Sequence, residues 1–113
     1  MAWFIKTERF NSKAIKLLPA EREKYINQHC SWVAKQNALG ISISSGYLVD
    51  KNHSPGGGGL LIIQADSFKA AKSIIEKDPM IVSGLVNWNL QEWVSVYGKP
   101  AIHSSEDKSS SVS

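Results

Sequence analysis

Residues 41 to 65 read Ile-Ser-Ile-Ser-Ser-Gly-Tyr-Leu-Val-Asp-Lys-Asn-His-Ser-Pro-Gly-Gly-Gly-Gly-Leu-Leu-Ile-Ile-Gln-Ala, and this stretch decides the fold. Ile41, Ile43, Ser45 and Tyr47 alternate with Ser42, Ser44, Gly46 and Leu48, the period of two that marks a strand, here with one apolar and one small polar face. The segment from Lys51 to Gly59, with Pro55 and four consecutive glycines, reads as a flexible hairpin-like connection. Leu60 to Ala65 then forms the next strand.

Outward from this pair, each side shows a helix. On the amino-terminal side Leu18, Arg22, Tyr25, His29, Trp32 and Gln36 make one stripe flanked by Ile26, Cys30 and Val33, a helical period. Pro19 suits its first turn, Glu21 and Glu23 lie near the positive end of its dipole, and Gly40 stops it after about Ala38. On the other side Asp66 or Ser67 caps a helix whose Phe68, Ala71, Ile74 and Ile75 share a face, ending before the Asp78-Pro79 breaker. The outermost elements are strands again. One is Ala2 to Glu8, where Trp3 and Ile5 alternate with Phe4 and Lys6, a pattern buried largely on both faces. The other lies within Gly84 to Tyr97, as one bent or two short strands, with a loop through Asn11-Ser12 after the first strand. The order βαββαβ predicts an α+β, ferredoxin-like antiparallel sheet with both helices on one face. The other face carries Trp, Val and Leu and is expected to be buried by sheet-to-sheet pairing in a homodimer.

The 113 residues fit one domain, placed at residues 1–98, followed by a serine-rich tail at 99–113 that is expected to be disordered. A hydrophobic content of 42% and a charged content of 20% match a packed globule. No apolar run is long enough to cross a membrane and no leader pattern opens the chain, which predicts a cytoplasmic protein. A lone Cys30 excludes internal disulfides and multi-thiolate zinc sites. The net charge of +3 comes from residues 1–24, where charges alternate in sign without an arginine cluster or an aromatic RNA-binding signature, so nucleic acid is not an expected partner.

Of three histidines, His29 is the one well placed for chemistry, since it shares the helical stripe that faces the sheet. Asp50 ends the second strand and is the expected carboxylate partner, orienting the imidazole so that its other nitrogen takes a substrate proton. The plain structural alternative is a boundary histidine and a strand-ending aspartate with no common role. Tyr47 and the Ser42/Ser44 row are expected to offer hydrogen bonds. Trp88 and Trp93, core residues by default, suit a flat or ring-shaped ligand where they border a cleft. His53 sits in the glycine-rich loop as a lid or merely exposed residue, and His103 lies in the tail. The run Gly56-Gly57-Gly58-Gly59 lacks a following Gly-Lys-Ser/Thr and helix, so it is not a phosphate cradle. No Gly-x-Ser-x-Gly elbow occurs, which leaves acyl transfer by serine without support from motif.

Leu18-Pro19-Ala20 with His29, Ser45-Gly46-Tyr47-Leu48-Val49-Asp50, Gly59-Leu60-Leu61-Ile62-Ile63, Ala65-Asp66-Ser67 with Ala70-Ala71, Asp78-Pro79, and Gly84-Leu85-Val86 before Glu92-Trp93 together resemble the YCII-related (YciI-like) family over residues 1 to 98. The resemblance implies a ferredoxin-like fold that pairs into a dimeric α/β barrel, and a His-Asp pair as active site, carried onto His29 and Asp50. The chain departs from the family in having Gly46-Tyr47 where Gly-Pro is common. The expected function is a cofactor-free, metal-free enzyme of isomerase or lyase type that moves a proton on a small cyclic or enolisable molecule. The alternatives are a non-catalytic small-molecule-binding or regulatory dimer module, and a purely structural partner domain.

Overall fold

A computed structural model describes residues 1–98. The tail expected at 99–113, with His103, lies outside the described residues. Four strands, β1 (Ala2–Phe10), β2 (Ile43–Val49), β3 (Pro55–Ala65) and β4 (Val86–Trp93), form one antiparallel sheet in the order β2-β3-β1-β4. Between them run α1 (Ser12–Ile15), α2 (Pro19–Ala38), α3 (Phe68–Ile75) and α4 (Pro79–Val82). The sheet order and the helices on one face are those of the ferredoxin-like α+β fold.

Register assigns every side chain to a face, because residues opposite one another in a ladder point the same way. Phe4 lies opposite Ile63 and Glu92, Lys6 opposite Leu61 and Leu90, and Glu8 opposite Gly59 and Trp88. In β2, Ile43 pairs with Ile63 and Ser45 with Leu61, so both share the helix-covered face. There Phe4, Leu61, Ile63, Ala71 and Ile75 are fully buried, with Ile43 and Leu90 nearly so. Each large apolar side chain among them contributes about 1.5–3 kcal/mol relative to exposure. The opposite face carries Trp3, Ile5, Leu60, Ile62 and Trp93, half-buried and without a helix above them among the described residues.

The helix α2 begins at Pro19 as expected. The Glu21 carboxylate accepts the N–H of Leu18 at 3.2 Å, and Gly40, at φ +89°, ends it where a side chain would be strained. None of its twenty residues is fully buried. It rides on the rim of the sheet beside β2, with Tyr25, His29, Trp32 and Val33 half-covered, and so leaves a gap beneath it.

Three expectations need correction. Asn11 starts a helical turn rather than a loop, because its Oδ1 accepts from the Ala14 N–H at 3.1 Å. Asp78-Pro79 ends α3 but also begins α4, with Pro79 in the first turn and the Asp78 carboxylate as its cap. Finally, Gly56 to Gly59 belong to β3, where Gly58 pairs with Arg9 and Gly59 with Glu8 and Tyr47. The true connection shrinks to a tight turn from Asp50 to Ser54, in which His53 adopts φ +63°. The last strand is single, from Val86 to Trp93. No helix among the described residues is long and apolar enough to cross a membrane.

Candidate functional site

The site starts from a lysine in the wrong place. Alternation along β1 puts Lys6 on the helix-covered face with no solvent exposure, and a buried ammonium is tolerated only when paired and hydrogen-bonded. Two carboxylates meet it. Lys6 Nζ donates to Asp78 Oδ2 at 2.8 Å, and it also pairs with Glu8, two residues along the same strand face.

Asp78 is itself fully buried, and its other oxygen, Oδ1, accepts from the Met80 N–H at 3.0 Å. The same Oδ1 lies 2.8 Å from His29 Nδ1. Burial alone pushes the Asp78 carboxyl upward, but the hydrogen bond with His29 and the charge and hydrogen bond of Lys6 outweigh it, holding the group below its ordinary value. Asp78 is therefore a carboxylate and accepts only, which places a proton on His29 Nδ1. The far nitrogen, Nε2, lies 2.8 Å from Ser45 Oγ, and in the neutral ring it accepts from that hydroxyl. The indole of Trp32, 5.9 Å away between ring centroids, flanks the imidazole.

This array opens into a cleft of about 380 Å³ between α2 and the sheet. Phe10, Ile26, Val33 and Tyr47 supply apolar walls, while Glu8, His29 and Ser45 supply polar atoms. Gly58 and Gly59 form part of its lining. A Cβ at Gly59 would lie 3.2 Å from the Gly46 carbonyl oxygen and 3.3 Å from Glu8 Cγ, so the missing side chain is what lets Glu8 lie over β3. Among the described residues no three His, Cys, Asp or Glu side chains are grouped to hold a metal ion.

His29 thus sits where it was expected, but its carboxylate partner is Asp78, not Asp50. The expected His29–Asp50 pairing is replaced for a clear geometric reason. Asp50 lies five residues beyond Ser45, on the order of 16 Å along an extended strand. Its Oδ1 instead accepts the N–H groups of Asn52 at 2.8 Å and Ser54 at 3.0 Å, holding the turn. Asp50 borders a second, larger hollow of about 660 Å³, which also includes Thr7, Arg9, Asn87, Trp88 and Asn89 but not His29. That hollow has more room, yet among the described residues no two side chains lining it are hydrogen-bonded to each other, so the smaller cleft is the better candidate site.

Of the other expected residues, Tyr47 lines the His29 cleft. Ser42 and Ser44 do not, since alternation turns them to the opposite face and presents Ser45 in their stead. Trp88 packs against the core and borders the larger hollow, and Trp93 lies on the uncovered face opposite Trp3, so neither walls the His29 cleft. Ser45, Asp78, Lys6 and Glu8 were not named as site residues from the sequence, although Ser45 and Asp78 stand in the motifs quoted for the resemblance. The available signals were a lysine at an apolar position next to Phe4, and Ser45 in phase with Ile43.

The family model for the YCII-related domain matches residues 2–93. No curated protein sequence matches the chain. Among solved structures, a 5-chloro-2-hydroxyhydroquinone dehydrochlorinase from Burkholderia phenoliruptrix AC1100, in complex with 2,5-dihydroxybenzoquinone, is similar at 19% identity. Its alignment covers 81% of this chain and 93% of that one with a TM-score of 0.61. An antibiotic biosynthesis monooxygenase aligns at 13% identity over 86% and 100% of the two chains, TM-score 0.54. A de novo designed protein, Ferredog-Diesel, aligns at 13% identity over 80% and 84%, TM-score 0.53. At such identities the likeness is one of fold, and a designed protein sharing it underlines that function must be argued from the site.

Proposed function

The chain belongs to the YCII-related domain family, and from that premise we propose that it is a cofactor-free enzyme of isomerase or lyase type, moving a proton on a small cyclic or enolisable molecule. His29 Nε2 is the base that takes the proton and the acid that returns it. Asp78 fills the role first expected of Asp50: it fixes the tautomer and steadies the imidazolium as it forms. In this reading Tyr47 and Ser45, which line the cleft, hydrogen-bond the substrate. The observation that carries this reading is the 2.8 Å contact between His29 Nδ1 and a fully buried Asp78 whose second oxygen is held by Lys6. A base oriented by so constrained a carboxylate loses little in reorganisation when charge develops. The apolar, glycine-lined cleft suits a flat ring, and the quinone held by the dehydrochlorinase of similar fold guides the choice of probes.

The test is proton exchange in deuterated water with a panel of hydroxylated quinones, hydroquinones and cyclic ketones, followed by NMR. Exchange or turnover of at least one member is expected without added metal and in the presence of a chelator. His29→Gln and Asp78→Asn should slow it about 100-fold, the usual worth of a positioned general base, and Asp50→Asn should leave it unchanged. Ligand binding with no exchange across the panel would instead support a small-molecule-binding module. Equal losses in the Asp50 and Asp78 variants would remove Asp78 from the mechanism.

A further inference from the structure

The hydrogen bonds around His29 do not stop at its partner carboxylate. Ser45 Oγ, His29 Nε2, His29 Nδ1 and Asp78 Oδ1 follow one another with heavy-atom separations of 2.8 Å at each hydrogen bond. They come from an edge strand, a helix and the cap of a short helix, and no sequence motif announces them. A nucleophile bonded to a base, and the base to an orienting carboxylate, is the arrangement that activates serine, and it is recognised by geometry rather than by chain position. We propose that Ser45 is a reactive nucleophile, and that the cleft accepts small activated acyl groups, such as short-chain aryl esters, on its hydroxyl.

Three further observations support the assignment. Ser45 is exposed and lines the cleft, so an electrophile reaches it. The orienter is unusually well held, since Asp78 is fixed by Lys6 at 2.8 Å and by the Met80 N–H at 3.0 Å. A donor for the developing oxyanion is also at hand. The Ser42 carbonyl accepts from the Gln64 N–H at 2.9 Å, and the Gly46 carbonyl lies beside Gly59, so the even-numbered residues of this strand turn their backbone groups toward β3. By alternation the N–H of Ser45 itself points to the free edge of the sheet, where β2 has no neighbouring strand among the described residues. With one such donor, reactivity is expected toward good leaving groups.

The step balances without a further reagent. Oγ forms a bond to the acyl carbon, the carbon–oxygen bond to the phenol breaks, and the Ser45 proton passes through Nε2 to the departing phenolate. Water, activated by the same nitrogen, then hydrolyses the acyl-serine and releases a carboxylic acid.

This proposal shares His29 and Asp78 with the proton-transfer reading, so its experiment does not use that reading's substrates. The whole chain is incubated with an alkyl fluorophosphonate, whose phosphorus takes Oγ as fluoride leaves, and the adduct is followed by intact mass and peptide mapping. One adduct per chain at Ser45 is expected, absent in Ser45→Ala and formed about 100-fold more slowly in His29→Gln. Circular dichroism checks that both variants fold. 4-Nitrophenyl acetate should give an acetylated Ser45 peptide in the wild type. No adduct, an adduct on Tyr47 or another hydroxyl, or an unchanged rate in a folded His29→Gln would overturn the proposal. Loss of labelling with proton exchange intact would sink only this inference, and labelling without exchange would sink only the earlier one.

Discussion

Asp78 bears the largest electrostatic load of any side chain described, since it answers Lys6, His29 and the Met80 N–H at once. Breaking a buried ion pair from one side leaves the partner charge uncompensated, at a cost of roughly 3–5 kcal/mol. Glu8 remains beside Lys6, so Asp78→Asn is expected near the lower end, about 3 kcal/mol, measured by urea unfolding. Asp50→Ala, which loses two exposed turn hydrogen bonds, should cost about 1 kcal/mol by the same measurement. The sign of the pH effect follows from the lowered carboxyl. Its folded value lies below the ordinary 3.8, so its stabilisation is in place above that pH and is lost as pH falls through the lower, folded value. Acid unfolding followed by circular dichroism should show this steep loss in the wild type. In Asp78→Asn the same limb should be shallower, and identical limbs would mean that the carboxyl is not perturbed.

At the scale of elements, the strand β3 shows both what the sequence displayed and what it hid. Its apolar half, Leu60 to Ala65, was legible from composition and length, as were α2 from its 3.6-residue stripe and α3 from its cap. Its glycine half was not, because glycine carries no face from which a period can be read and is ordinarily taken as a connection. Only the ladder partners, Glu8 with Gly59 and Arg9 with Gly58, reveal that those residues are strand. The site followed the same rule. His29 was legible because a helical stripe names its face, whereas Asp78 lies in a junction with no period, 49 residues away in sequence, and with its proline it read as a stop and a family motif rather than as a site. A prediction belongs to the glycine half. Gly59→Val should crowd the Gly46 carbonyl and push Glu8 out of the cleft, destabilising the domain by about 1–3 kcal/mol, read as a fall in Tm. Gly56→Ala, whose Cβ would meet only the Leu48 carbonyl oxygen at 3.9 Å, should change Tm little.

Among the described residues, one sheet face lies under helices and the other carries none. Trp3 and Trp93 stand side by side on the uncovered face with Ile5, Leu60 and Ile62. We expect a homodimer that buries this face, as light scattering at micromolar concentration would report. Ile62→Lys, placing a charge in its middle, should yield a monomer with the fold intact by circular dichroism. A wild-type monomer under the same conditions would rule the arrangement out. The position of Lys6 has a consequence of another kind, for the order in which the chain is made. The strand β1 is one of the two interior strands and precedes both of its ladder neighbours in the chain, so its pairing is incomplete until β3 and β4 exist. Its buried ammonium has Glu8 beside it from the start but waits for its second carboxylate, Asp78, 72 residues downstream. A nascent chain short of Asp78 has β3 to pair with β1 but neither β4 nor the second carboxylate of Lys6, so the sheet and the buried ion pair close only once these downstream elements have been made.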